Sequence, residues 1–244
     1  MIVFRISLIA ILVLFSRSPY VYAQPGNTEW EMLDGVSTNS LSCSEAYEAD
    51  LHWDAYNICL PLANEGDADA QYAIGRLYES GLAVVQNYEE AFSWYKRSAE
   101  QGNVWAQYYV AHLNYEGLGT ERSYSEAYFW TEKIVKRSFV AAYYNFGLMH
   151  FHGDGVKENK EEALKWFKKG AHSGDTTAQF AYGYCLIVGD GTEKDFVEGL
   201  AWVQLSAESG VEDAIATLQY VKDQITTEQK SSAADRLAEI KLNH

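Results

Sequence analysis

Apolar residues recur along this chain at helical spacing. In one segment they fall at Ala70, Ile74, Leu77 and Tyr78, and in the next at Ala91, Trp94, Tyr95 and Ala99. Both sets lie on one face of a helix with 3.6 residues per turn. Glu89, Glu90, Lys96 and Arg97 take the remaining positions of the second segment, which predicts a solvent face opposite a buried one. The first segment stops at Gly81, a residue suited to a left-handed helix exit, and a short loop follows.

A second, longer spacing organises these segments. Trp94, Trp130, Trp166 and Trp202 are each 36 residues apart, as are Ala70, Ala106, Ala142, Ala178 and Ala214, and Gly81, Gly117, Gly153 and Gly189. Four ungapped units therefore occupy residues 66–209, and a degenerate fifth runs from Gly210 to His244. One two-helix hairpin cannot bury its apolar face, whereas stacked neighbours bury a continuous core. The pattern predicts an all-α chain of about five 36-residue helix-loop-helix repeats.

The stretches "ADAQYAIGRLYESGLAV" and "NYEEAFSWYKRSAEQG" resemble the Sel-one-like repeat, a relative of the tetratricopeptide repeat with a longer loop between its helices. The resemblance covers roughly residues 44–221. It implies a right-handed α-solenoid that serves as a non-catalytic adaptor or scaffold. Exported bacterial members of the family often act in envelope regulation, signalling or host contact.

Atypical caps are expected at both ends of such an array. Residues 43–65 align with the second helix of a unit, because Ala55 and Ala63 lie 36 residues before Ala91 and Ala99; Ile58 replaces the Trp, and Pro61 should kink or end the helix. At the other end, Thr226-x-x-Gln229 predicts a capping box opening a closing helix within residues 210–244.

Residues 1–23 carry Arg5, an apolar run from Ile6 to Phe15 and small residues at Val21 and Ala23, the pattern of a secretory signal peptide cleaved after Ala23. Residues 24–42 are polar and turn-rich, which predicts a flexible lead-in. The expected mature protein is exported, periplasmic or else secreted, with no later segment able to anchor it in a membrane. Acidic side chains outnumber basic ones 34 to 19, and loss of the signal would remove only Arg5 and Arg17. Such a surface disfavours nucleic acid and anionic headgroups as partners, leaving a protein or peptide partner. A monomer is expected.

Three cysteines in an exported chain raise the question of pairing. A helical hairpin turning near Leu51 would bring Cys43 and Cys59 face to face, and a disulfide there would staple the N-terminal cap; two free thiols are the alternative. Cys185 shares its column with Leu77, Leu113 and Met149, which predicts a core residue.

Sites of chemistry are sparse. The cysteine-rich branch of the resembled family has attracted penicillin-binding and β-lactamase labels, but this chain lacks the cysteine pair in each repeat. Ser93-x-x-Lys96 has the spacing of a serine acylase, without the S-D-N or K-T-G companions. A hydrolase is kept only as the alternative to a scaffold. His150, His152 and Asp154 form an H-x-H-x-D run that suggests metal, yet the period places it at the end of a first helix and its glycine exit, with no third or fourth ligand supplied. "GDGTEKD" at 189–195 lacks the alternating oxygen ligands of a calcium loop. No cofactor or metal is expected.

A partner surface should lie where the repeats stop agreeing. Positions 69, 73, 76 and 80 of the first unit, and their equivalents, form one stripe on the first helices, which line the concave groove in tetratricopeptide-like solenoids. The stripe reads Asp69, Ala73, Arg76 and Ser80, then Trp105, Tyr109, His112 and Glu116, then Ala141, Asn145, Leu148 and His152, then Thr177, Ala181, Tyr184 and Val188. Trp, Tyr and Arg dominate binding energy at interfaces. The expected groove is Arg76, Trp105, Tyr109, His112, Asn145, Leu148, His152 and Tyr184, centred on Trp105, Tyr109 and His112; the competing expectation is that these rings only pack adjacent repeats. His152 would make a partner contact sensitive to mild acid.

Overall fold

A computed structural model describes residues 42–242, which form one compact unit. The expected signal peptide and all but the last residue of the expected lead-in lie outside the described residues.

The described residues form twelve α-helices in antiparallel pairs. They are α1 (Cys43–Glu48), α2 (His52–Glu65), α3 (Ala68–Ser80), α4 (Tyr88–Glu100), α5 (Val104–Glu116), α6 (Tyr124–Val135), α7 (Tyr143–His152), α8 (Lys160–His172), α9 (Thr176–Val188), α10 (Phe196–Glu208), α11 (Glu212–Val221) and α12 (Thr227–Leu242). The pairs α3–α4, α5–α6, α7–α8 and α9–α10 are the four repeats, and each packs on its sequence neighbour to build an α-solenoid.

Local chemistry sets the helix boundaries. Each second helix starts at a polar cap whose side chain accepts a backbone N–H: Asn87 from Glu89 and Glu90, Ser123 from Glu126, Asn159 from Glu162 and Asp195 from Glu198. The same cap residue donates its own N–H nine residues back, Asn87 to Tyr78, Ser123 to Asn114, Asn159 to His150 and Asp195 to Leu186, at 2.8–3.0 Å. One strap thus closes the interhelix loop of every repeat.

Packing follows the columns. Ala70, Ile74, Leu77, Ala91, Tyr95 and Ala99 are each at most 1 % exposed, so the predicted faces are the buried ones. Gly75 and Gly147 leave room for rings of their own second helices: a Cβ there would lie 2.6 Å from Tyr95 and 2.5 Å from Phe167. Where that column holds Ala111, the partner column holds Thr131, so small and large residues alternate across the pair. Buried Gln71, Gln107 and Gln179 donate to the carbonyls of Ala63, Ala99 and Ala171, tying each first helix to the end of the preceding second helix.

The third repeat departs from this scheme at its start. The residue before the first-helix cap is Gly66, Gly102, Gly174 or Gly210 elsewhere, always at positive φ, but is Ser138 here, held at φ 59°. Asp67, Asn103 and Asp175 cap their helices, whereas Phe139 provides no side-chain cap and a 3₁₀ turn over Val140–Ala142 precedes a shortened α7. Tyr143 stands where the other repeats carry the tying Gln, and Val135 replaces the alanine found at 63, 99 and 171. The α6–α7 contact is correspondingly thinner than those of α4–α5 and α8–α9. A left-handed conformation costs a non-glycine residue about 1–2 kcal/mol, partly offset by the extra unfolded-state freedom of glycine. Ser138→Gly is therefore expected to stabilise the protein by about 0.5–1 kcal/mol; thermal melts check this, and a lowered midpoint contradicts it.

Both ends are closed. Cys43 on α1 and Cys59 on α2 form a disulfide with their Cα atoms 4.9 Å apart, and both are buried. Of the two expectations for Pro61, that it ends this helix is overturned, because α2 runs on to Glu65. Pro61 and Asn57 are exposed, so the carbonyl that loses its N–H partner faces water instead of the core. At the C-terminus, Thr226 Oγ1 accepts from the Gln229 N–H and Gln229 Oε1 accepts from the Thr226 N–H, the predicted capping box of α12. Arg236 on α12 pairs with Glu198 on α10 and holds the final helix in place.

Candidate functional site

The variable stripe runs along α3, α5, α7 and α9, and its middle is a sheet of aromatic rings. Tyr109 on α5 stacks on Tyr95 of the preceding repeat at 5.0 Å and 15°, with Tyr72 6.0 Å from both. The Arg76 guanidinium sits 4.8 Å above the Tyr109 ring and donates to the Tyr72 hydroxyl at 3.2 Å. The Tyr95 hydroxyl donates to Glu79 Oε2 at 2.7 Å, and Glu79 in turn pairs with Arg76 at 3.5 Å. Burial pushes the Glu79 carboxyl above its ordinary range, against the opposing pull of Tyr95 and Arg76. Arg76 and Tyr109 thus form part of the joint between the first and second repeats.

Trp105 differs. It stands one turn before Tyr109 and is 48 % exposed, with Phe139 edge-on at 4.9 Å and Tyr108 edge-on at 6.3 Å. Asn145 on α7 donates to the Tyr108 hydroxyl at 3.4 Å, linking the third repeat to the same cluster. Tyr108 escapes the stripe arithmetic because it lies next to Tyr109 in sequence; its ring nevertheless joins Trp105, Tyr109 and Phe139.

Other stripe residues are placed less evenly. His112 and Tyr184 are partly covered, and burial lowers the His112 pKa below its ordinary value. Leu148 is buried at 6 % exposure and offers a partner little surface, since an apolar side chain in the column of Arg76, His112 and Tyr184 packs inward. His152 lies half-buried, its ring 5.2 Å from Phe151, and burial lowers its pKa against the raising influence of Asp154 and Glu158.

Ser93 and Lys96 share α4, and Lys96 is exposed, without the burial that turns a lysine into a base. Cys185 is buried, which pushes its thiol up to about 12 and makes it a poor nucleophile at neutral pH. Among the described residues, no group of three or more His, Cys, Asp or Glu side chains could hold a metal ion. The H-x-H-x-D run is split three ways: His150 packs between Tyr128 and Phe146, His152 lies against Phe151, and Asp154 accepts from the Tyr115 hydroxyl at 2.7 Å. Among the described residues, no helix is long and apolar enough to cross a membrane.

Comparison with known proteins agrees with this architecture. The solved structure of a Sel1 repeat protein from Oxalobacter formigenes superposes with a TM-score of 0.68 at 24 % identity, over 79 % of this chain and 82 % of that one. A protective antigen present in uropathogenic Escherichia coli strains, displaying an SLR fold, also superposes with a TM-score of 0.68, at 25 % identity over 81 % of this chain. The match spans 46 % of that longer protein. None of the curated proteins compared with the chain matches it. The Sel1 repeat model matches residues 68–103, 106–137, 140–175 and 176–211, more than half of the sequence; each matched segment covers one observed helix pair, the second starting two residues into α5. The chain belongs to the Sel1 repeat family.

Proposed function

We propose that this protein is a non-catalytic scaffold of the bacterial envelope that holds a protein or peptide partner in the groove lined by its first helices. Sel1 repeat proteins are generally protein-interaction scaffolds. The observation that carries the reading here is Trp105, a large ring left 48 % exposed within a rigid aromatic cluster on the stripe where the repeats diverge. A preordered ring loses little conformational freedom on binding, which makes it an efficient anchor. A periplasmic regulator docking on a membrane sensor is the more specific version. The buried Cys43–Cys59 disulfide supports an oxidising compartment. A secreted factor that contacts a host is the second reading, favoured by the likeness to the protective antigen.

Trp105 and Tyr109 separate binding from packing. Tyr109→Ala removes a ring stacked between repeats and is expected to cost about 2–4 kcal/mol of stability. Trp105→Ala removes a half-exposed ring and is expected to cost under about 1 kcal/mol, while abolishing recovery of a stoichiometric partner from the native envelope fraction. Thermal melts and affinity capture with wild type alongside test both. A Trp105→Ala protein that still recovers the wild-type partner sinks the groove assignment.

A further inference from the structure

A second cleft opens on the other side of α7 from the stripe. Phe146 and His150 lie more than a quarter turn from Asn145, Leu148 and His152 by helical spacing, and they face the second helices α6 and α8. The cleft has a volume of ≈ 240 Å³ and is walled by Tyr128 and Glu132 of α6, Phe146 and His150 of α7, and Glu162 and Trp166 of α8. The rings touch in sequence: Tyr128 to Phe146 at 5.1 Å, Phe146 to Trp166 at 4.9 Å and Phe146 to His150 at 4.9 Å. His150 is 8 % exposed, and its Nδ1 is sealed from solvent without a hydrogen-bond partner. The ring of His150 closes one wall of the cleft, so its signals report on an occupant.

Comparison with the equivalent junctions shows that this cleft is particular to one joint. The column of Glu132 holds Lys96 and Lys168 on either side, so its charge is reversed here. The column of His150 holds Asn114, which donates to its own helix at Val110, and Leu186, which is apolar. At the junction of the third and fourth repeats His172 packs on Trp202 at 4.9 Å and fills the corresponding space. Here that column holds Lys136, largely exposed and paired outward with Glu132 at 2.9 Å. Glu162 accepts from the Trp166 indole at 3.0 Å and pairs with exposed Lys165 at 2.9 Å. Both lysines sit at the rim, where exposed pairs are weak and exchangeable. Val135 and the missing Gln tie explain why the joint is open at all.

We propose that this cleft binds a guanidinium group, stacked against the ring wall of Tyr128, Phe146 and Trp166 and hydrogen-bonded to the carboxylates of Glu132 and Glu162. A guanidinium is planar, stacks on aromatic faces and presents a fork of N–H donors that carboxylates on two walls can share. The source is an arginine side chain of a bound protein or a free guanidinium compound. The site is independent of the groove anchored by Trp105.

Titration by calorimetry and by NMR of the histidine ring nitrogens tests this, with agmatine in one arm and the capped peptide acetyl-Gly-Arg-Gly-amide in the other. Saturable binding is expected, accompanied by a shift of the His150 ring signals, with affinity reduced at least about tenfold in Glu132→Gln and in Glu162→Gln. Trp105→Ala should bind as wild type, which separates this site from the groove. Both glutamine variants keep the hydrogen-bonding shape and are checked for an unchanged thermal melt. Peptide binding much tighter than agmatine assigns the guanidinium to a protein partner, and equal affinities assign it to a small molecule. No saturable binding of either probe up to about 10 mM, or binding that both glutamine variants leave intact, overturns the proposal.

Discussion

Gly119→Ala is expected to destabilise the protein by more than about 3 kcal/mol, whereas Gly102→Ala should cost only about 1 kcal/mol. Both glycines have positive φ, 67° and 97°. Around Gly102 nothing lies within 4 Å of where a Cβ would sit, so alanine meets only the conformational penalty. Around Gly119 the Cβ would lie 2.0 Å from the carbonyl oxygen of Tyr88, the first residue of α4 in the preceding repeat. Backbone cannot move aside as a side chain can, so the loop of the second repeat would have to lift from the helix it rests on. Gly155 and Gly191 repeat the contact at 2.1 Å from Tyr124 and 2.3 Å from Lys160. Equilibrium unfolding of the two alanine variants measures the difference. Equal losses would show that φ alone governs these positions.

Loss of the Cys43–Cys59 disulfide is the second large effect. Closing a loop of 16 residues is worth about 3 kcal/mol in the loop-entropy model. A six-residue helix such as α1 has little stability of its own and depends on packing against α2. In Cys43→Ala/Cys59→Ala, backbone amides of α1 should exchange with solvent orders of magnitude faster, while those of α8–α10 should change little. Repeats that touch only their neighbours transmit such a loss over short distances. Hydrogen exchange read by mass spectrometry decides. Protection of α1 as in the bridged protein would mean that packing alone holds the cap.

The repeat was legible because each recurring residue has one physical task. The tryptophan, alanine and glycine columns located the helix pairs, and the capping box at Thr226 located α12. Pro61 does not end α2 because Asn57 and Pro61 are both exposed, a fact of the folded packing that a proline rule applied to sequence does not contain. Leu148 lies on the stripe by spacing, but its burial is a property of the folded packing that spacing does not contain. The thin α6–α7 joint was in principle visible, since Val135, Ser138, Phe139 and Tyr143 all break their columns within nine residues. The cleft needed more, because its walls come from three helices and its emptiness is a matter of shape.

The tie between a buried Gln and the preceding helix, present at Gln71, Gln107 and Gln179 and absent at Tyr143, has a mechanical consequence. Within the four repeats, flexing is expected at the one joint that lacks the tie. Curvature of the groove would then be set chiefly by the angle between the second and third repeats.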